Sequence, residues 1–301
     1  MKNIILITLA FLLMCFTACN SSNGAEDTNN NIVSESVEYS FYYVPSVGGT
    51  LSTDISSKIP ANINNKNFSG GTKKLEADLN KVENKNVDIT IGNISHKVNY
   101  KDTYEEELFC NDRFNAFSVY DKYRGETCEI EVRRTDSKLT FFFNRDMSKY
   151  TVSGNLTEEQ AKKIAKEQIV SLYGESILDE YRQDRIIRTE SQLTNDYTVL
   201  YTKYVHGLPT LDDIEISINM HGELISVNAL YLGVFDNSEK ELTQVQIDNA
   251  LKAMNENISN KCTLKAHTLT IDSEGYYYIR ANGYIKGENG TEAITLYINV
   301  E

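Results

Sequence analysis

The sequence predicts an α+β protein: a mostly β N-terminal part, then one or two units in which a helix covers an antiparallel sheet. Three observations carry that prediction. Apolar and polar residues alternate with a period of two through much of 37–150, the pattern of half-buried strands. The period changes to that of a helix at Asn155. The residues that open that helix then recur at Leu242.

The first strand signal is Val37, Tyr39, Phe41 and Tyr43 on one face, with Glu38, Ser40 and Tyr42 on the other. Further strands are expected at Asn86–Ile91, Lys97–Tyr100, Ala116–Tyr123, Cys128–Arg133 and Lys138–Asn144. Gly92-Asn93, Gly125-Glu126 and Asp136-Ser137 punctuate them as turns. Within this part only Gly71–Val82 reads as helical. The charged run Glu105-Glu106-Glu107 reads as a solvated face.

Leu156-Thr157-Glu158-Glu159-Gln160 sets a Thr cap three residues before Gln, a capping box in which each end satisfies the other's backbone N–H. Ala161, Ile164, Ala165, Ile169 and Leu172 form the apolar stripe, and Gly174 is the stop. Strands are expected at Arg185–Glu190, Tyr197–Val205, Ile214–Met220 and Glu223–Leu230, with Gly222 supplying the positive φ of a tight turn. Leu242-Thr243-Gln244-Val245-Gln246 repeats the cap, and Ile247, Ala250, Leu251, Met254 and Ile258 repeat the stripe. Strands at Lys265–Asp272, Gly275–Ile285 and Ala293–Val300 complete a second copy. The expected division is 1–18 signal segment, 19–36 tether, 37–150 mostly β, 151–235 first α+β unit and 236–301 second.

The 301 residues hold 41% hydrophobic side chains, 19 Tyr and 11 Phe, too many for a disordered chain. A net charge of −13 excludes nucleic acid as the expected partner, because phosphate binding needs clustered cations. Lys2 followed by an apolar run from Ile4 to Phe16, too short to cross a ~30 Å hydrocarbon core, reads as an export signal. Phe16-Thr17-Ala18-Cys19 resembles a bacterial lipobox. The resemblance implies cleavage before Cys19, a diacylglyceryl thioether on Cys19, and anchoring to the extracytoplasmic face of the cell membrane. The Asn-, Lys- and Ile-rich usage is compatible with a Gram-positive source. An ordinary secretory signal with an incidental Cys is the alternative. The Asn- and Ser-rich stretch after Cys19 is a flexible tether.

Cys110, Cys128 and Cys262 remain in the exported part. A Cys110–Cys128 disulfide across a hairpin and free buried thiols are both consistent with an odd count. No Cys-x-x-Cys pair or His-Glu-x-x-His run is present, so no metal and no cofactor are expected.

Residues 155–232, through LTEEQAKKIAKEQI and YTVLYTKYVHGLPTLDDIEISINMHGELISV, resemble a PepSY domain. Gly207, Pro209, Asp212, Asp213 and Gly222 stand at the family's positions, and 241–301 resembles a second copy that lacks the Gly-x-Pro stretch. The resemblance implies a non-catalytic module that inhibits or regulates a peptidase or another cell-envelope protein. Gly207, Pro209, Asp212 and Asp213 would contact that partner through a sheet edge or through the loop Val205–Asp213. Chemistry beyond this is sparse. No Gly-x-Ser-x-Gly elbow exists, and His206 and His221 read as turn residues. His96 and His267 read as half-exposed strand residues. Asp212, Asp213 and Glu215 could hold a weak Ca²⁺, although a charged strand edge is the simpler reading. The expected function is therefore a lipid-anchored, non-enzymatic, extracytoplasmic regulator. An adhesive protein that binds glycan through its Tyr-rich β part is the alternative.

Overall fold

The computed structural model describes residues 39, 41–45, 63–65, 71–74, 85–107, 117–146, 149–150, 152–191, 194–229, 232–237, 240–258, 262–271, 276–288 and 290–300. Cys19, Cys110 and the expected signal and tether lie outside them.

Two helix-on-meander units are present. In the first, α1 (Glu158–Tyr173) and the single turn α2 (Ile177–Glu180) precede β9 (Tyr181–Glu190), β10 (Asn195–Val205), β11 (Leu208–Asn219) and β12 (Leu224–Asn228). These four strands pair antiparallel in sequence order. In the second, α3 (Gln244–Ile258) precedes β13 (Thr263–Ile271), β14 (Tyr277–Lys286) and β15 (Thr291–Asn299), again an antiparallel meander. Each long helix lies over the second and third strands of its own meander, α1 on β10 and β11, α3 on β14 and β15. The two units thus share the order of their elements and the docking of their helices.

Both helices start as their sequences dictate. The Gln160 amide donates to Thr157 Oγ1 while Gln160 Oε1 accepts from the Thr157 amide, and Thr243 with Gln246 makes the same reciprocal pair. Ala161, Ala165 and Ile169 are buried beneath α1, and Ile247, Ala250, Met254 and Ile258 beneath α3.

The described residues before 150 share a core with the first unit. β4 (Asn86–Ile91), β5 (Ile94–Glu107), β6 (Phe117–Gly125), β7 (Cys128–Arg133) and β8 (Leu139–Asn144) form an antiparallel array. β8 then pairs antiparallel with β12, with Val227 opposite Phe142, so this array continues the sheet of the first unit. One apolar cluster accordingly joins Ile91, Val98, Ile130 and Phe142 to Ala165, Ile169, Ile216 and Val227. β1 (Phe41–Pro45) goes the other way. It pairs antiparallel with β15, with Tyr43 opposite Leu296, and β2 (Ile63–Asn65) pairs parallel with β1. The expected boundary at 150 thus marks a change of period and not a gap between cores: from Glu38 onward the chain is one compact unit.

The helix expected over Gly71–Val82 is not found where the segment is described. Gly71–Lys74 is β3, antiparallel to the end of β5, and its register sets Lys73 opposite Glu105. The Glu105–Glu107 run is therefore strand. Cross-strand pairing, which weighs more than the weak local propensity of four residues, decides both assignments.

Candidate functional site

The stretch expected to meet a partner instead joins the two units. His206 and Gly207 both take positive φ, 47° and 79°, as a two-residue type I′ hairpin between β10 and β11 requires. Val205–Asp213 is therefore a hairpin, and its tip is tied to the second unit. His206 Nε2 lies 2.7 Å from the Leu242 carbonyl, Val205 and Leu208 pack against the second core, and Thr210 pairs with Leu269 of β13. Gly207 is exposed at the tip, and Pro209 is half-buried opposite Tyr204.

Asp212 is 0% exposed, which corrects the expectation of a contact residue on an open edge. β11 pairs with β10 along its length and, on its other side, with β13 at Thr210 and β12 at Glu215–Ile218, and the alternation that puts Ile214, Ile216 and Ile218 into the core carries Asp212 inward with them. Its carboxyl accepts from the Tyr181 hydroxyl at 2.6 Å and from the Gly233 amide at 2.8 Å. Burial pushes it up to about 7, against the pull of Tyr181, Lys203 and the Gly233 amide. Around it Lys203 bonds Asp236 and, at 2.8 Å, Glu180, while Arg133 bonds Asp136 at 2.6 Å and donates to the Leu232 carbonyl. This polar knot holds the 232–237 connection against the first sheet. Asp213 points to the other face, half-buried, where burial first and Glu215 second push it up to about 7. No group of three or more metal-ligating side chains occurs among the described residues.

Cys128 is a buried free thiol that burial raises to about 11. Its expected partner Cys110 lies outside the described residues. Tyr120, from the N-terminal β part, is buried in the interior. Ser153 Oγ lies 3.4 Å from the exposed His221 Nε2.

A cleft of about 220 Å³ opens elsewhere, where four separate segments meet. One rim is the β4–β5 turn, in which Gly92 and Asn93 take φ of 59° and 66°, another type I′ hairpin. The opposite rim is the β11–β12 turn. There Gly222 takes φ of 83°, and Asn219 Oδ1 accepts from the amides of His221 and Glu223. Ile164, Glu167 and Gln168 line the cleft from α1, three and four residues apart and so on one helical face. His96, Phe142 and Asn144 line it from β5 and β8.

The polar groups of this cleft are unequally satisfied. Lys149 Nζ pairs with Glu223 Oε1 at 2.6 Å, which raises the lysine and lowers the glutamate. His96 is buried, its Nδ1 is 3.2 Å from Thr127 Oγ1, and its ring tilts on Phe142 at 5.6 Å. Burial lowers its pKa, so the imidazole is neutral near pH 7. The Gln168 carboxamide oxygen is buried and finds no hydrogen-bond partner among the described residues.

The sequence reading missed this cleft and took His96 for a half-exposed strand residue. One signal was available: His96 stands between Ile94 and Val98 at the period of two that marks the apolar face of β5. The convergence of α1 with two hairpin turns had no such signal, because it depends on tertiary packing.

The chain matches no protein-family model and no curated protein. Among solved structures, the C-terminal domain of YpeB from Bacillus megaterium is similar at a TM-score of 0.32 and 10% identity, over 76% of this chain and 94% of that chain.

Proposed function

We propose that this is a lipid-anchored, extracytoplasmic, non-enzymatic module of PepSY-like design that binds and restrains an exported peptidase or another cell-envelope protein. The observation that carries the reading is the cleft between α1 and the Gly92 and Gly222 turns, where Ile94 and Ile164 stand beside Asn93, Glu167 and the Lys149–Glu223 pair. The lipobox-like Phe16–Cys19 and the polar tether supply the anchoring. The repeated helix-on-meander architecture accords with the sequence resemblance at 155–232. The Gly207–Asp213 stretch serves the module internally, as the joint between its halves, and the partner docks at the cleft.

Two variants test this. Cys19→Ser should release the protein from the membrane fraction into the medium. Ile94→Asp, at a rim position 46% exposed and so tolerant of charge, should leave the fold intact and abolish chemical cross-linking to an envelope protein on intact cells. Unchanged cross-linking by Ile94→Asp would overturn the assignment of the cleft.

A further inference from the structure

We infer that Asp212 is a proton-operated latch between the two units: protonated, it holds the 232–237 connection across a fork in the sheet at β11, and ionised, it lets that connection lift and the two halves loosen. The inference goes beyond the docking reading and does not rest on it.

Asp212 stands where β11 changes neighbours. Thr210 pairs with Leu269 of β13 in the second unit, and from Glu215 onward the strand pairs with β12 of the first. Between those two points the Asp212 carboxyl accepts from the Gly233 amide at 2.8 Å, so it fastens the connection that leads from one unit to the other. That connection crosses between cores. Leu232 is buried in the cluster that holds Ala165 and Ile169, and Phe235 in the cluster that holds Ile247 and Met254, where its ring stacks on Tyr277 at 6.4 Å. Gly233 is closely packed at the fork: a Cβ there would stand 3.1 Å from Asp236 Oδ2 and 3.5 Å from Arg133 Nη2.

The groups around the carboxyl leave its charge uncompensated. Both of its donors, the Tyr181 hydroxyl of β9 and the Gly233 amide, are neutral. The two cations that face it are directed to other acids. Lys203 of β10 bonds Glu180 of α2 and Asp236 of the connection, while Arg133 of β7 bonds Asp136 and the Leu232 carbonyl. Tyr120 of β6, fully buried, is the further titratable group beside Arg133. Asp212 has no exposed surface, so in its ionised form it is a buried charge whose nearest cations already hold acids of their own. Lifting the connection admits water to the carboxylate, and the ionised form therefore favours the lifted state. Burial raises this acid to about 7, so the latch is closed below that pH and loosens as the pH climbs through it.

Native-state hydrogen exchange tests the latch without any substitution. The chain from residue 20 onward, which keeps every described residue, is exchanged at about pH 6 and about pH 8, with rates corrected for the intrinsic pH dependence of amide exchange. Peptides from the joint, 205–213 and 232–237, are compared with peptides from β12 in the first unit and β15 in the second. An acid that titrates at about 7 when latched and at ~3.9 when hydrated predicts a ~10-fold rise in joint exchange between the two conditions, with β12 and β15 unchanged. Asp212→Asn, which keeps both contacts and cannot ionise, should remove the rise. If that variant fails to fold, the parent protein's own comparison still decides. Joint exchange that does not change with pH, a rise shared equally by β12 and β15, or a rise that survives in Asp212→Asn would overturn the inference.

Discussion

Removing the Asp212 carboxyl should separate two effects that the polar joint combines. In Asp212→Ala the Tyr181 hydroxyl loses its 2.6 Å acceptor and the Gly233 amide its 2.8 Å acceptor. The amide retains only the Tyr181 oxygen at 3.3 Å. Leaving buried donors unsatisfied costs ~1–3 kcal/mol each, so a loss of ~2–4 kcal/mol is expected, or roughly 5–15 °C in Tm for a chain of this size. Asp212→Asn behaves differently. Its Oδ1 still accepts from Gly233, and its Nδ2 meets the tyrosine oxygen with donor and acceptor exchanged, so both contacts persist without a charge. Burial raises the Asp212 carboxyl from 3.8 to about 7, with Tyr181, Lys203, Asp236, Arg133 and the Gly233 amide as the polar groups around it. A raised acid contributes stability that is complete below its unfolded pKa of ~3.9 and is lost as the pH climbs through about 7. At ~1.4 kcal/mol per pH unit the loss at alkaline pH is on the order of 4 kcal/mol. Thermal denaturation followed by circular dichroism between about pH 4 and pH 8 is the assay. Asp212→Asn should match the parent at the acid end and exceed it at the alkaline end, whereas Asp212→Ala should lie ~2–4 kcal/mol below both at the acid end and draw level with the parent, still below the Asn variant, at the alkaline end. A gap between parent and Asn variant that does not change with pH, or an Asn variant as unstable as the Ala variant, would refute the reasoning.

Other outcomes follow from the packing. Thr157→Ala and Thr243→Ala each delete one side of a capping box and should cost ~1 kcal/mol, read as a drop of ~2–4 °C in Tm. Gly283→Ala should cost ~1–3 kcal/mol in chemical denaturation, because a Cβ there would run into the Cys262 sulfur beneath β14. Cys128 and Cys262, both buried and both raised by burial, should label slowly with a thiol reagent in the native protein and rapidly in denaturant. A fragment of residues 37–150 should show no cooperative melt, since its strands share a core with α1 and β12 and its β1 belongs beside β15.

What the sequence disclosed and what it concealed divide along physical lines. Features set by neighbours within a few residues were legible. The capping boxes, the glycine turns at Gly92 and Gly222, and β4 and β7 in their full extent are fixed by local hydrogen bonds and alternation. Pairings between distant segments were not, because alternation says which face of a strand is buried and nothing of its neighbour. Hence β1 was read with the residues that follow it, although it completes the second meander at Tyr43 and Leu296, and β8 was given to a separate domain although it extends the first. Asp212 shows the same limit. Its charge argued for solvent, and only the Tyr181 and Gly233 partners, brought by other segments, make its burial tolerable. The cleft was least legible, because Gln168 is an ordinary polar helix residue until two hairpin turns close over it.

The docking claim is tested most directly by placing a photo-activated cross-linking residue at Asn93, on the rim of the cleft, and separately at exposed Lys252 on the outer face of α3, and irradiating intact cells. The account predicts that Asn93 captures one exported or envelope protein, that Ile94→Asp abolishes the capture, and that Lys252 captures nothing in common with it. The same protein captured equally from both positions, or capture that survives Ile94→Asp, would contradict it.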